Sequence, residues 1–273
     1  MLNVTPDSFS DGGRYDDAAR ALEHAGRLVA EGAAVIDVGG ESSRPPGATY
    51  GAGADRVSVE EELRRVVPVV AALSARGVRV SVDTVKPEVA QAALRAGAQI
   101  VNDVSCGADL ALLDAVAEAG AELVLMHTRG GGRVDASTTG YADLVGEVIA
   151  ELEAAIERAL EAGVARGRVW IDPGLGFAKT AEQSLALLGN LDALVARGYP
   201  VLVGASRKSF IARTVAPAGA SGPPADARLG GSIACVAAAA LAGAAAVRVH
   251  DVFESVQAAR IASALRAARR GAA

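Results

Sequence analysis

Short apolar runs alternate along the chain with longer stretches in which Ala, Leu and Val recur every three to four positions among Glu, Arg and Asp. The runs are residues 34–39 (AVIDVG), 78–83 (VRVSVD), 99–103 (QIVND), 122–127 (ELVLMH), 168–172 (RVWID), 200–206 (PVLVGAS) and 246–250 (AVRVH). Each is apolar almost throughout and does not alternate, which is the pattern of parallel strands covered on both faces. Helical segments are predicted between them, for example over 17–31, 60–76, 87–96, 141–162, 181–197, 228–243 and 252–269, with glycine near the end of most. Residues 2–4 (Leu-Asn-Val) add a stub of a first strand. Eight strand–helix units without a break in composition predict one domain over residues 1–273, an α/β protein of the (β/α)8 barrel class. Its first strand is expected to be truncated, with an upstream extension restoring stability, because Met1 immediately precedes Leu2. A doubly wound open sheet is the alternative, but the glycine-rich nucleotide fingerprint does not follow the first strand.

Composition narrows the class. A hydrophobic fraction of 51% with 22% charged residues supports a large core. A formal charge of −5 argues against nucleic acid and anionic membranes as partners, so any anionic substrate must be met by local cations. Cys106 and Cys235 are too few and too far apart for a zinc site or a disulfide framework, and are expected to fill interior space. The longest apolar stretch, residues 233–247, is shorter than the roughly 18 residues of a membrane span. It reads as a packed helix running into a strand, and the chain as cytoplasmic. The basic residues are 24 Arg and only three Lys, an excess that reads first as compositional bias. Lys86, Lys179 and Lys208 then stand where Arg does not serve.

Residues 5–15 and 44–57 are long, polar and rich in Gly and Pro, and both follow strand ends, where the active-site loops of a barrel belong. Residues 215–227 read as a flexible surface insertion. The strand ends themselves carry Asn3, Asp37, Asp83, Asn102-Asp103, Met126-His127, Asp172, Ser206-Arg207-Lys208, Arg248 and His250. Helix capping accounts for any one of these. It accounts less well for cations gathering at the last two strands while carboxylates and amides gather at the second to sixth. That division suits a ligand with two unlike ends. Arg44, Lys208, Arg248 and His250 can form a cationic basket around a phosphate or pyrophosphate. Asp83, Asn102 and Asp172 can hydrogen-bond a flat, nitrogen-rich heterocycle, with Phe177 and Met126 as apolar walls. Core packing accounts for Met126 equally well.

Eight segments carry a family resemblance: LNVTPDSFSDGG (2–13), IDVGGESSRP (36–45), SVDTVKPEVA (81–90), IVNDVS (100–105), LMH (125–127), IDPGLGFAKT (171–180), LVGASRKSF (202–210) and VRVHDV (247–252). In this order they resemble the dihydropteroate synthases, pterin-binding barrels that condense 6-hydroxymethyl-7,8-dihydropterin pyrophosphate with p-aminobenzoate in folate biosynthesis. The resemblance implies an alkyl (pterin-methyl) transferase, a sulfonamide target, a Mg2+ cofactor and a homodimer formed through the Ala-rich late helices. It places the pterin ring on Asp83, Asn102, Met126, Asp172, Phe177, Gly204 and Lys208. Pyrophosphate falls to Asn3, Ser43, Arg44, Arg248 and His250, with Asn3 also facing the metal. The p-aminobenzoate pocket falls to Phe9, Arg44, Pro45, Ser206, Arg207 and Lys208. Lys208, Asp83, Asp172 and Arg248 take the catalytic positions. Ser43 stands where the family more often has Thr, and loop 44–57 carries extra small residues. Two other readings stay open: a catalytically silent pterin-binding paralogue, and a pterin-dependent methyltransferase.

Overall fold

Parallel strands and helices alternate in the order the sequence predicts. The computed structural model describes residues 1–4, 14–41, 57–130, 138–217 and 219–271. The strands are β1 (Leu2–Asn3), β2 (Ile36–Gly39), β3 (Val80–Asp83), β4 (Ile100–Asp103), β5 (Glu122–Met126), β6 (Val169–Asp172), β7 (Leu202–Val203) and β8 (Ala246–Val247). The helices are α1 (Arg14–Ala30), α2 (Val59–Ser74), α3 (Pro87–Arg95), α4 (Leu110–Ala119), α5 (Leu144–Glu161), α6 (Ala181–Gly189), α7 (Leu191–Val195), α8 (Ser209–Val215), α9 (Leu229–Ala242) and α10 (Val252–Gly271).

Strands β1 to β6 form one parallel sheet in sequence order, and β7 pairs with β8. A parallel bridge between Ile171 and Val201 joins the two sheets. The Met1 amine donates to Val249 O at 2.8 Å, a single bond linking the segment after β8 to β1, which is only two residues long.

Strand alternation sorts the side chains. Val38, Val82, Val101, Leu123, Leu125 and Ile171 are buried within the hydrophobic core. The alternate positions, among them Asp37, Ser81, Asn102, Leu202 and Arg248, line one side of a cavity of about 340 Å³ that also reaches Leu28 of α1 and Val252, Val256 and Ala259 of α10. A barrel interior is usually filled by layers of bulky branched residues. Here the space continues past Ala34 and Ala246 to the outer helices α1 and α10.

Two expectations change. The helix predicted over 181–197 is two helices parted at Asn190, whose φ of −115° and ψ of 30° leave the helical region. Its side-chain amide donates back to Ala186 O at 2.8 Å, a local bond that competes with helix continuation. Insertion 215–227 lies on the surface but is tied down: Arg228 Nε donates to Pro223 O at 2.9 Å, and a Cβ on Gly222 would stand 2.2 Å from Ala212 O. Cys106 and Cys235 are free, buried thiols, as anticipated.

The loop after β6 depends on one glycine. Gly174 has φ +65°, and a Cβ there would stand 1.9 Å from His127 O at the end of β5. Gly174→Ala combines a left-handed alanine with overpacking against backbone and is expected to cost about 3 kcal/mol. For a chain of this size that corresponds to a fall of roughly 6–12 °C in melting temperature, readable by calorimetry. An unchanged melting temperature would show that the loop is not held against β5.

Candidate active site

The register sets Asn3 beside Gly39, Gly39 beside Asp83, and Asp83 beside Asn102, one row across β1 to β4 at their carboxyl ends. Met126 and Asp172 are paired in the same way on β5 and β6. On the next strand a Cβ on Gly204 would lie 3.8 Å from Asp172 Oδ2, Lys208 Nζ and Arg248 Cβ alike. Three charged residues thus converge around this glycine.

Arg248 is the centre of the site's electrostatics. Its guanidinium donates to Asp37 Oδ2 and Asp83 Oδ2, each at 2.5 Å, joining β8 to β2 and β3 across the barrel. Burial lifts the Asp83 carboxyl to about 7 against the pull of Arg248, with Asp37 and Glu62 pushing the same way as burial. Burial also raises Asp172, opposed by Lys208 and by the Gly174 N–H that donates to its Oδ1 at 2.7 Å. Lys208 is lowered to about 8 by burial against the attraction of Asp172. Its Nζ donates to Leu175 O at 2.5 Å and stands 4.7 Å above the Phe177 ring, within cation–π range.

The oxygens Asp37 Oδ1 and Asn102 Oδ1 are buried without a protein partner among the described residues. A buried acceptor left open costs about 1–3 kcal/mol unless a partner arrives. An incoming ligand with N–H donors would satisfy both.

The separation of a cationic rim from an acid-and-amide pocket does not survive. Arg248 and Lys208 lie among Asp37, Asp83 and Asp172, because residues on neighbouring strands of a barrel meet in one interior. His250 is no ready cation: burial lowers it to about 4, helped by the Met1 amine. Its Nδ1 lies 3.0 Å from Ser206 Oγ, which also accepts from its backbone N–H at 3.2 Å. Arg207 is paired through its Nε with Asp251 at 3.0 Å. Asn3 stands at the end of β1, with its Oδ1 3.8 Å from where a Cβ on Gly39 would be. Phe9, Ser43, Arg44 and Pro45 lie outside the described residues, as do most of both polar loops.

A profile described as "Pterin binding enzyme" matches residues 1–250. A dihydropteroate synthase of Mycobacterium leprae is 50% identical over 266 residues, covering 97% of this chain and 91% of that protein. The chain belongs to the dihydropteroate synthase family. Among solved structures, the Xanthomonas albilineans dihydropteroate synthase with 4-aminobenzoic acid superposes with a TM-score of 0.87 at 43% identity, over 97% of this chain and 91% of that one. The same organism's enzyme in complex with 7,8-dihydropteroate gives a TM-score of 0.84 at 40% identity, over 97% and 92% of the two chains.

For a dihydropteroate synthase, sequence reading passed over several residues at this mouth. Asp37 was visible at a strand end, yet its partner Arg248 lies 211 positions away. Asp103 proves to be a turn residue, its carboxylate accepting from Ser105 N at 2.8 Å and Gly107 N at 2.6 Å. Lys86 bridges Glu41, in the segment after β2, to the buried Glu62 of α2. His127 turns away from the mouth, its Nε2 donating to Glu151 on α5 at 3.1 Å.

Proposed function

We propose that the mouth formed by Asp37, Asp83, Asn102, Asp172, Lys208 and Arg248 is where this chain performs its family's reaction. The family's transferase activity joins dihydropterin pyrophosphate to p-aminobenzoate, giving dihydropteroate and pyrophosphate, and belongs to folate biosynthesis. The observation that carries the site assignment is the convergence around Gly204 of Asp172, Lys208 and Arg248.

A pterin ring presents an amidine-like set of donors that the open oxygens of Asn102 and Asp37 are suited to accept. In their ionised forms Asp83 and Asp172 favour positive charge building on the ring as the carbon–oxygen bond to pyrophosphate breaks. The bonding pair leaves with pyrophosphate, the arylamine nitrogen then forms the carbon–nitrogen bond, and its proton is released to solvent. An arylamine is already a nucleophile, so the protein's task is orientation and charge stabilisation more than base catalysis. The p-aminobenzoate side is assigned to Ser206, Arg207 and Lys208, and the family resemblance adds Phe9, Arg44 and Pro45 from outside the described residues. For pyrophosphate the family resemblance assigns Arg248 and His250, the latter as a neutral hydrogen-bonding group, together with Ser43 and Arg44 from outside the described residues.

Among the described residues no group of three acidic, His or Cys side chains is placed to hold a metal. Magnesium needs no such cage, because it keeps several waters and commonly shares substrate phosphates with one or two protein oxygens. Asn3 Oδ1, at the strand end beside Gly39, fits as a single hard donor. Bound magnesium would neutralise charge on departing pyrophosphate.

The decisive measurement is pyrophosphate release with each substrate alone and with both. Release that requires both substrates is the expected result. Release that never occurs despite pterin binding would indicate the silent paralogue, and absence of either response would overturn the reading. We place the enzyme in the cytoplasm; among the described residues no helix is long and apolar enough to cross a membrane, and the two free thiols suit a reducing compartment. Phe253, Ile261 and Leu265 are exposed on α10, an apolar face suited to a homodimer. Sedimentation at micromolar concentration is expected to give twice the chain mass, and Ile261→Glu to give the monomer. A monomeric parent would overturn the dimer.

A further inference from the structure

The segment after β6, residues 173–180, carries two of the groups that define the pterin side: Leu175 O, which receives Lys208 Nζ, and the Phe177 ring beneath it. Its backbone is costly to hold. Gly174, Gly176 and the non-glycine Ala178 all have positive φ, at +65°, +80° and +50°. Such conformations persist where surrounding contacts over-determine them.

Two grips supply that determination, one reaching out of the segment to the end of β5 and one reaching in from outside. The inner one is Lys179, which is buried at 5% exposure. Its Nζ donates to Phe177 O at 2.9 Å and lies 2.8 Å from His127 Nδ1 and 3.5 Å from His127 O. Glu151 is a carboxylate and accepts only, so His127 Nε2 carries the ring proton and Nδ1 offers its lone pair to Lys179. Glu151 is fixed in turn by Arg129, whose Nε donates to it at 3.0 and 3.2 Å. The outer grip is Tyr141, which donates its hydroxyl proton to Ala178 O at 3.0 Å beneath the Arg129 guanidinium, 3.9 Å above its ring. Burial takes Lys179 down to about 7 and His127 to about 4, so a neutral imidazole facing the amine is the state that geometry and burial both favour.

Resting on the reading of the mouth as a pterin site, we propose that Lys179, backed by His127 and Glu151, is a positioning residue for the pterin: it holds residues 173–178 so that Leu175 O and Phe177 set the place of Lys208. None of the three needs to touch substrate. An ammonium with three rotatable donors can take an imidazole nitrogen and two carbonyls at once, which a planar guanidinium does not do in the same space. This is a physical reason for a lysine in a chain that otherwise uses Arg.

Lys179→Met keeps length and apolar bulk and removes the donors. The expected result is a 10- to 100-fold rise in the dissociation constant for 6-hydroxymethylpterin, measured by calorimetry. The KM for p-aminobenzoate should stay within threefold, and circular dichroism should show a folded chain. Pterin affinity within twofold of the parent overturns the proposal, as does equal weakening of both substrates, which is what a general loss of structure produces. If Lys179→Met does not fold, Tyr141→Phe and Glu151→Gln act on the outer grip and the far end of the inner one. Each is expected to weaken pterin three- to tenfold with p-aminobenzoate unmoved, and unchanged pterin affinity in both overturns the proposal. Failure of the parent itself to bind the pterin would instead refute the site reading on which the inference rests.

Discussion

Lys208→Ala is expected to lower kcat/KM by at least about 1,000-fold, equivalent to some 4 kcal/mol of transition-state stabilisation. Asp172→Ala is expected to do the same within an order of magnitude. The size follows from how the two are coupled. Lys208 and Asp172 are both buried, and each is the other's main favourable charge. Without Lys208, the Asp172 carboxylate loses the largest charge that favours its ionised form, so removing the cation also weakens the anion facing the ring. The double variant should therefore be little worse than either single one, since residues acting as a unit are not additive. Lys208→Arg is not expected to rescue, because Nζ sits between Leu175 O at 2.5 Å and the Phe177 face at 4.7 Å, a fit for a compact head. Steady-state rates and far-ultraviolet dichroism of the same preparations provide the check. Activity within a few-fold of the parent in either folded single variant would remove both residues from the reaction.

Much of this was legible in the chain, for identifiable reasons. Continuously apolar strands and glycine-ended helices report burial on both faces, and a barrel then forces every strand end to one mouth. Asn3, Asp83, Asn102, Asp172, Lys208 and Arg248 could be placed together without coordinates on that ground alone. What periodicity cannot carry is pairing between distant elements. Asp37 with Arg248, and Lys179 with His127 52 positions away, depend on which way each side chain leaves the backbone. His127 and Asp103 were visible as strand-end polar residues, yet one faces α5 and the other closes a turn. Strand alternation separates them from Asn102 and Met126, their neighbours on the same strands. The helix break at Asn190 was hidden because a single amide back-bond outweighs a helical pattern that runs through it.

Arg248→Met is expected to be the most damaging single change to the fold, and its cost should depend on pH. Methionine retains much of the volume but leaves Asp37 and Asp83 facing each other without the cation that bridges them at 2.5 Å. Breaking one side of a buried ion pair costs about 3–5 kcal/mol when the remaining charge has no escape. Asp83 has one. Its folded-state value of about 7 stands above its ordinary 3.8, so the folded chain binds more protons than the unfolded chain between those limits, and this group's contribution to stability falls as pH rises through them. Removing Arg248 takes away the largest influence holding that value down, and the upper end of the window moves to higher pH. At pH 5 the variant can protonate Asp83 and avoid most of the penalty, whereas at pH 8 it must either keep two buried anions or bind a proton at unfavourable pH. The gap in melting temperature between parent and variant is therefore expected to widen from pH 5 to pH 8. A gap constant across that range would mean that Arg248 stabilises the barrel by packing alone, and that Asp83 is ionised throughout in both proteins.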